Sequence, residues 1–263
     1  GFLLASRGEI DIVLFLATVV GLALVVAGAC VLNNYIDRDI DILMARTRDR
    51  ALVSGIISTK QAITFALLLL GIGLGTLVVF TNLYALLVAL LGVGIYVVLY
   101  SVWSKRKTTY ATLIGSLAGA VPPAVGYTAA ASTIDLGAVL LFLIFCFWQM
   151  PHFYAIAIYR LEDYKNAKVP VVPLVFGFLR TKIEMILYIL LFMIAASSLT
   201  YFGYTGYIYL VITLILGSVW LLYGIVGFNT KDDVQWAKRM FISSLVVNMG
   251  LSVTLALNTV LPF

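Results

Sequence analysis

A 263-residue chain that is 63% hydrophobic and only 11% charged carries more apolar surface than a soluble core of that length can hide. Its formal net charge of +5 has the sign that attracts nucleic acid, but the placement of the charge assigns it to a membrane surface and leaves no nucleic acid to explain it. The two cysteines, Cys30 and Cys146, lie in separate apolar runs without metal or redox spacing and read as packing residues.

Apolar runs close to the ~20 residues that span a bilayer recur along the whole chain. They predict spans at 10–36, 61–80, 83–103, 110–130, 136–159, 183–202, 206–227 and 237–260. A chain in lipid must satisfy its backbone internally, so the fold class is all-α, a polytopic membrane helix bundle. No Pro/Ser-rich or low-complexity linker interrupts the pattern, and residues 1–263 read as one transmembrane domain. The opening Gly1-Phe2-Leu3-Leu4-Ala5-Ser6 reads as the tail of a preceding apolar helix. The expectation is therefore an N-terminally truncated domain, with eight spans here and nine once that helix is restored.

The connections alternate in character. One set, 37–60, 104–109, 160–182 and 228–236, is basic; the other, at Thr81-Asn82-Leu83, Ala131–Asp135 and Gly203–Thr205, is short and nearly uncharged. With Lys238 and Arg239 at the start of the last span counted in the first set, every Lys and Arg except Arg7 falls there. By the positive-inside rule these loops face the cytoplasm, which puts the C-terminus outside. Membrane lipid accounts for part of the basic charge, and an anionic substrate for the rest.

The chemically suggestive residues all lie on that side. Asn33-Asn34-Tyr35-Ile36-Asp37-Arg38-Asp39-Ile40-Asp41 closes the first span. At ~100° per residue, Asn33, Asp37 and Asp41 stay within roughly 80° of one helix face. Such a trio suits a hard cation, and Mg²⁺ commonly binds a few carboxylates together with substrate phosphates. The blander reading, acids solvated at a helix end, leaves the charge at the membrane surface without a counter-ion. Arg46-Thr47-Arg48-Asp49-Arg50 and Lys105-Arg106-Lys107 follow, able to neutralise a diphosphate or simply to set topology. Gly115 and Gly119 have small-xxx-small spacing for close helix packing, and Pro122-Pro123 predicts a break within the membrane. The third element, Trp148-Gln149-Met150-Pro151-His152-Phe153-Tyr154, holds the single histidine, which reads either as a packing residue or as one lining a cavity opened by Pro151. Glu162 and Asp163 then repeat acids at a helix end, and two acidic clusters on one membrane face could grip a metal diphosphate from both sides.

These stretches resemble the intramembrane aromatic prenyltransferase superfamily: Asn33-x-x-x-Asp37-x-x-x-Asp41, then Arg46-Thr47-x-x-Arg50 and Ser54-Gly55. The closer resemblance, through Trp148–Tyr154, Tyr159-Arg160-x-x-Asp163-Tyr164 and Val169-Pro170-Val171-Val172-Pro173, is to its haem branch, the farnesyltransferases acting on protoheme IX. Tyr159 stands where quinone-type members carry the first Asp of DxxxD, which favours that branch, and Ala51 replaces a common proline. The resemblance implies a helix bundle around a central cavity, with Mg²⁺ as cofactor and farnesyl diphosphate and protoheme IX as substrates. It implies a bacterial inner membrane location, with haem A synthase or oxidase assembly proteins as candidate partners. Its metal ligands would be Asn33, Asp37, Asp41 and Asp163, the three aspartates being catalytic. Arg38, Arg46, Lys105, Arg106 and Arg160 would bind diphosphate, and His152 and Tyr159 the haem. The competing classes are a prenyltransferase with a quinone-type acceptor, a transporter of a phosphorylated lipidic substrate, and a non-catalytic oxidase assembly factor. A midplane transport site would not set both acidic clusters on one face.

Overall fold

The computed structural model describes residues 1–258, so the last residues of the span expected at 237–260 lie outside the described residues. Among those described, all regular structure is helical and eight helices are long and apolar enough to cross a membrane. The chain is a multi-span membrane protein. A short α1 (Phe2–Ser6) precedes α2 (Ile12–Ile36), whose end runs into α3 (Arg38–Asp41). Then come α4 (Thr59–Phe80), α5 (Leu83–Val93) continued by a π-helical stretch Gly94–Ser104, and the half-helices α6 (Ala111–Gly119) and α7 (Val121–Ala131). The second half holds α8 (Leu136–Tyr159), α9 (Leu161–Asn166), α10 (Val172–Tyr201), α11 (Tyr207–Val226) and α12 (Asp233–Leu257).

Local chemistry fixes where the spans begin. Asp11, Ser58, Asn82, Asp135 and Asp232 each accept a backbone N–H from the first turn of the helix that follows, and Gln61 completes a capping box with Ser58. Caps of this kind are worth ~1 kcal/mol each, so each short loop hands over to a span with little slack. The outer faces stay greasy: Val13, Leu16, Val20, Leu68, Ile72 and Val79 are all exposed, as lipid-facing positions should be.

Two apolar clusters build the interior. One joins α1, α2, α4, α5 and α7 around Val25, Leu77 and Val125; the other joins α8, α10, α11 and α12 around Ile144, Met185, Phe192 and Trp220. Between them α6 and α7 meet at a break after Gly119, with Pro122 and Pro123 in the first turn of α7, as the proline pair predicts. Pro151 behaves differently from expectation. It does not open α8, which runs unbroken from Leu136 to Tyr159, because neighbouring elements clamp the helix on both sides of the proline. The Trp148 indole N–H donates to the Ser244 carbonyl of α12 at 2.8 Å, and the Tyr154 hydroxyl donates to Glu184 of α10 at 2.7 Å. The loop expected at 160–182 is also largely helical. Ala167, Val169 and Val171 pack with Ile40, Met44 and Ala157, drawing that segment down as a lid over the end of the bundle. Within α10 the helical path is interrupted at Gly177, whose φ of 80° favours glycine.

The seam of α2 against α4 is tight: a Cβ built on Gly73 would stand 2.7 Å from the Gly21 carbonyl oxygen and 2.8 Å from the Val25 nitrogen. Backbone on the partner helix cannot yield as a side-chain tip can. Gly73→Ala is therefore expected to cost about 1–3 kcal/mol through overpacking, read as a lower thermal midpoint of the detergent-solubilised protein. Gly75→Ala, where the added methyl meets open space, is expected to hold or raise that midpoint.

Candidate active site

The acidic stretch keeps its helical phase across the α2–α3 junction. Asp37 N–H donates to the Asn33 carbonyl at 2.9 Å, and Asp41 N–H to the Asp37 carbonyl at 2.8 Å. All three side chains point inward and are buried, Asp37 completely so. A buried carboxylate needs charged and hydrogen-bonding partners, and each aspartate has them. Asp37 Oδ2 accepts from Asn33 Nδ2 at 2.8 Å and from Lys105 Nζ, while Asn33 Nδ2 also reaches Ser101 Oγ at 2.9 Å. Asp41 Oδ2 accepts from Arg50 Nη1 at 2.6 Å, and Thr47 Oγ1 closes the loop onto the Asp41 carbonyl at 3.0 Å.

The π-helical stretch makes this possible. Its wider turn presents Tyr96 and Tyr100 to the site and Ser101 to Asn33, with Lys105 just past its end reaching Asp37 and Ser101 Oγ donating to the Tyr96 carbonyl at 2.8 Å. Such bulges are frequent at functional sites. The result is a cavity of about 260 Å³, lined by Asn33, Asp41, Arg46, Arg50, Lys105, Tyr96, Tyr100 and Tyr164 among others. Burial pushes the Tyr164 phenol up, which keeps it a neutral hydrogen-bond donor at the mouth. A second cavity, almost wholly apolar, runs from the first between α2 and α5. Tyr96, Gly115 and Phe153 line both, and Val26, Cys30, Val93, Pro122 and Gln149 line the second. Val26 and Cys30 are exposed on the lipid side of α2, so the apolar cavity opens laterally. Gly119 lets the α6 backbone lie directly against the Gln149 amide, the close approach its spacing with Gly115 predicts.

The other expected site residues sit elsewhere. Arg38 is exposed, donates to the Tyr35 carbonyl at 2.7 Å and lies 4.4 Å over the Tyr35 ring, outside the cavity lining. Arg106 is held on the outer side by two 2.6 Å bonds to Asp39 and stands 4.0 Å from Asp37 Oδ1. Arg160 lies over the Tyr159 ring at 5.6 Å. Asp163 is turned to the 42–58 loop, its Oδ1 accepting from Ala45 N–H at 3.0 Å, and among the described residues no three acidic, His or Cys side chains form a ready metal cage. His152, expected to face the cavity, lines neither one; it lies half-buried against α12, with Tyr159 one face-repeat further along packed on Phe241. The correction follows from α8 staying helical: Gln149, Phe153 and Ala157 hold the cavity stripe, which leaves His152 on the flank. Arg50, Tyr96, Tyr100, Ser101 and Tyr164 enter the site without having been picked out. Arg50 stood within the Arg-Thr-x-x-Arg pattern, the one signal that could have found it.

A UbiA prenyltransferase family model matches residues 1–245. The chain belongs to that family. Among its relatives, the protoheme IX farnesyltransferase of Protochlamydia amoebophila is 52% identical over 260 residues, covering 99% of this chain and 92% of that one. The protoheme IX farnesyltransferase of Yersinia pseudotuberculosis is 48% identical over 258 residues, covering 98% and 88%. A structure of digeranylgeranylglyceryl phosphate synthase shares the fold at TM-score 0.83 and 20% identity, over 98% of this chain and 90% of that one. A UbiA homolog from Archaeoglobus fulgidus bound to GPP and Mg²⁺ shares it at TM-score 0.64 and 16% identity, over 97% and 95%. In this chain Asp41 lies in the wall of the polar cavity, Asp37 is buried behind it, and the apolar channel shares three lining residues with that cavity.

Asp39 tests which acids belong to that end. It is exposed, and its hydrogen bond with Arg106 holds its carboxyl below the usual carboxylate range. The pairing is thus present above that range and lost only as pH falls through the depressed value. Asp39→Asn is expected to keep turnover within a few-fold of wild type and leave the thermal midpoint near neutral pH unmoved, since exposed pairs contribute little.

Proposed function

We propose that this chain transfers the farnesyl group of farnesyl diphosphate to a vinyl group of protoheme IX at the cytoplasmic face of a bacterial inner membrane. The carrying observation is that a cation-lined chamber, with Asp41 in its wall and Asp37 buried against the Asn33 and Lys105 that line it, shares Tyr96, Gly115 and Phe153 with an apolar channel open to lipid. The names of its near-full-length relatives support the haem acceptor, and the basic loops on the same side support the orientation.

The donor set suits Mg²⁺. Asp37 Oδ1 is buried with no hydrogen-bond partner, an oxygen that an extra cation would satisfy, and Asn33 and Asp41 supply further hard oxygen donors beside it. Asn33, Asp37 and Asp41 would hold the ion, whose chemistry is to neutralise and polarise the diphosphate. Lys105 and Arg50 bond the same carboxylates and line the same chamber, so they stand where a diphosphate would draw them, with Arg46 beside them. Their charge stabilises the leaving group as the allylic C–O bond breaks and both electrons go to diphosphate oxygen. Tyr96 and Phe153, at the junction of the two cavities, flank the point where the allylic carbon would sit and keep water from it. The haem vinyl carbon bonds to that carbon. Water captures the resulting cation and gives up one proton, leaving a hydroxyethylfarnesyl side chain and free diphosphate.

The test is turnover by the purified protein with farnesyl diphosphate, Mg²⁺ and protoheme, with the product mass read by chromatography. Farnesylated, hydrated haem is expected; chelation should abolish it and restored Mg²⁺ bring it back. Asp37→Ala or Asp41→Ala should abolish turnover while the protein still inserts, and activity within a few-fold of wild type in either would overturn the assignment.

A separate arm ranks the cations. Arg50→Ala is expected to weaken farnesyl diphosphate binding by ~1.5–3 kcal/mol, the range for a charge-assisted hydrogen bond. Arg38→Ala, outside the chamber, should leave that affinity unchanged, and equal losses at both positions would mean the charges act only through topology.

A further inference from the structure

The apolar channel carries one polar group that the diphosphate chemistry does not use. Among its lining residues Gln149 is the single side-chain amide, and it is only 6% exposed. Its Nε2 donates to the Phe145 carbonyl at 3.0 Å and to the Ser116 carbonyl at 3.4 Å. Two acceptors on that side fix which end of the amide is nitrogen, so Oε1 is the atom left over. Among the described residues no donor reaches it. The oxygen lies against the α6 backbone, where a methyl added to Gly119 would stand 1.9 Å away.

The backbone beside it carries the same sign. α6 ends at Gly119, and α7 opens with Val121-Pro122-Pro123. In a continuous helix the carbonyls of Ala118 and Gly119 would accept from residues 122 and 123, but a proline has no N–H to give. Both Ala118 and Gly119 lie in the channel wall. The wall therefore gathers negative ends of amide dipoles without the donors that would balance them. Across the junction of Tyr96, Gly115 and Phe153, the polar chamber presents Arg50 and Lys105. Gln149 and Gly119 stand one helical turn from Phe153 and Gly115, about 6 Å along each axis.

An alkyl chain offers an amide oxygen nothing in return for its lost hydration. A positive charge does, and the attraction is strongest where water is excluded. A carboxylate in this place would be costly to bury and would trap a carbocation as an ester, whereas an amide oxygen is a weak nucleophile. We propose that Gln149 is a catalytic residue, its Oε1 stabilising the positive charge that forms on the first isoprene unit of an allylic diphosphate. The C–O bond breaks across the junction, and its electron pair leaves on the diphosphate oxygen toward Arg50 and Lys105. The charge left on the chain, shared over its first and third carbons, lies on the Gln149 side. This rests on the donor half of the reading given above and is independent of the acceptor.

The experiment uses the purified full chain with Mg²⁺ and two probes. One is farnesyl thiolodiphosphate, which has the donor's shape but scarcely ionises. The other is a farnesyl-like ammonium in which a protonated nitrogen replaces the allylic carbon, added with inorganic diphosphate. Gln149→Met keeps the length and apolar bulk of the side chain and removes the oxygen. It is expected to bind the ammonium roughly tenfold more weakly or worse and the thiolodiphosphate within about twofold of wild type, with kcat lowered and KM held. Retained thiolodiphosphate binding also reports that the variant is folded. Gly119→Ala displaces the oxygen without removing it and should show the same split between the probes. Equal losses of both probes in the two variants, or unchanged ammonium affinity and kcat, would overturn the proposal. So would a switch in Gln149→Met from hydrated to unhydrated product with ammonium affinity kept, which would assign the amide to the water instead. A wild type that binds neither probe overturns the farnesyl-donor reading itself. Absence of farnesylated haem alone sinks the acceptor, while the two affinities still decide Gln149.

Discussion

Everything at the active end hangs on burying the Asp37 carboxylate. An ion taken out of water costs several kcal/mol even after the protein relaxes, so a fully enclosed aspartate persists only where its partners are fixed in advance. Here they come from two spans far apart in sequence: Asn33 one turn earlier on α2, and Lys105 at the end of the π-helical stretch, with Ser101 holding the Asn33 amide between them. The extra residue per turn in that stretch brings Ser101 and Lys105 to bear on α2 together. One oxygen of Asp37 is left buried without a hydrogen-bond partner, 4.0 Å from the Arg106 guanidinium.

The same region shows how far a sequence can be read. The inward face of Asn33, Asp37 and Asp41 was legible because helical phase survives the junction at Asp37, and seven of the spans follow directly from apolar run length. The start of α10 was hidden because Pro170, Pro173 and Gly177 interrupt its apolar stretch and Arg180 and Lys182 follow, so the segment reads as a basic loop although its first turns are apolar. Arg50 was hidden for another reason. It reaches Asp41 across an irregular loop, and no periodicity connects positions nine apart through turns. Arg38 drew attention by adjacency, yet one step along a helix is ~100° of rotation, enough to carry it out over Tyr35.

Pro151 shows where a sound local rule loses to packing. An interior proline removes one helical hydrogen bond and crowds the preceding turn. In α8 that cost falls in a segment pinned by Trp148 to α12 and by Tyr154 to α10, and the helix continues. Continuity, in turn, decides the functional geography. With the phase unbroken, Gln149, Phe153 and Ala157 share one stripe, while Trp148, His152 and Tyr159 share the neighbouring one.

That division gives α8 one flank that lines the two cavities and another that packs on α12. A diphosphate needs a polar, cation-rich enclosure, whereas an apolar prenyl chain needs a dry channel with a lateral way in from lipid. Phe153 lines both cavities and stands edge-on to His152, so it is the ring that joins the two flanks. The rigidity of α8, clamped on either side of its proline, is therefore what holds the polar chamber and its apolar continuation in register.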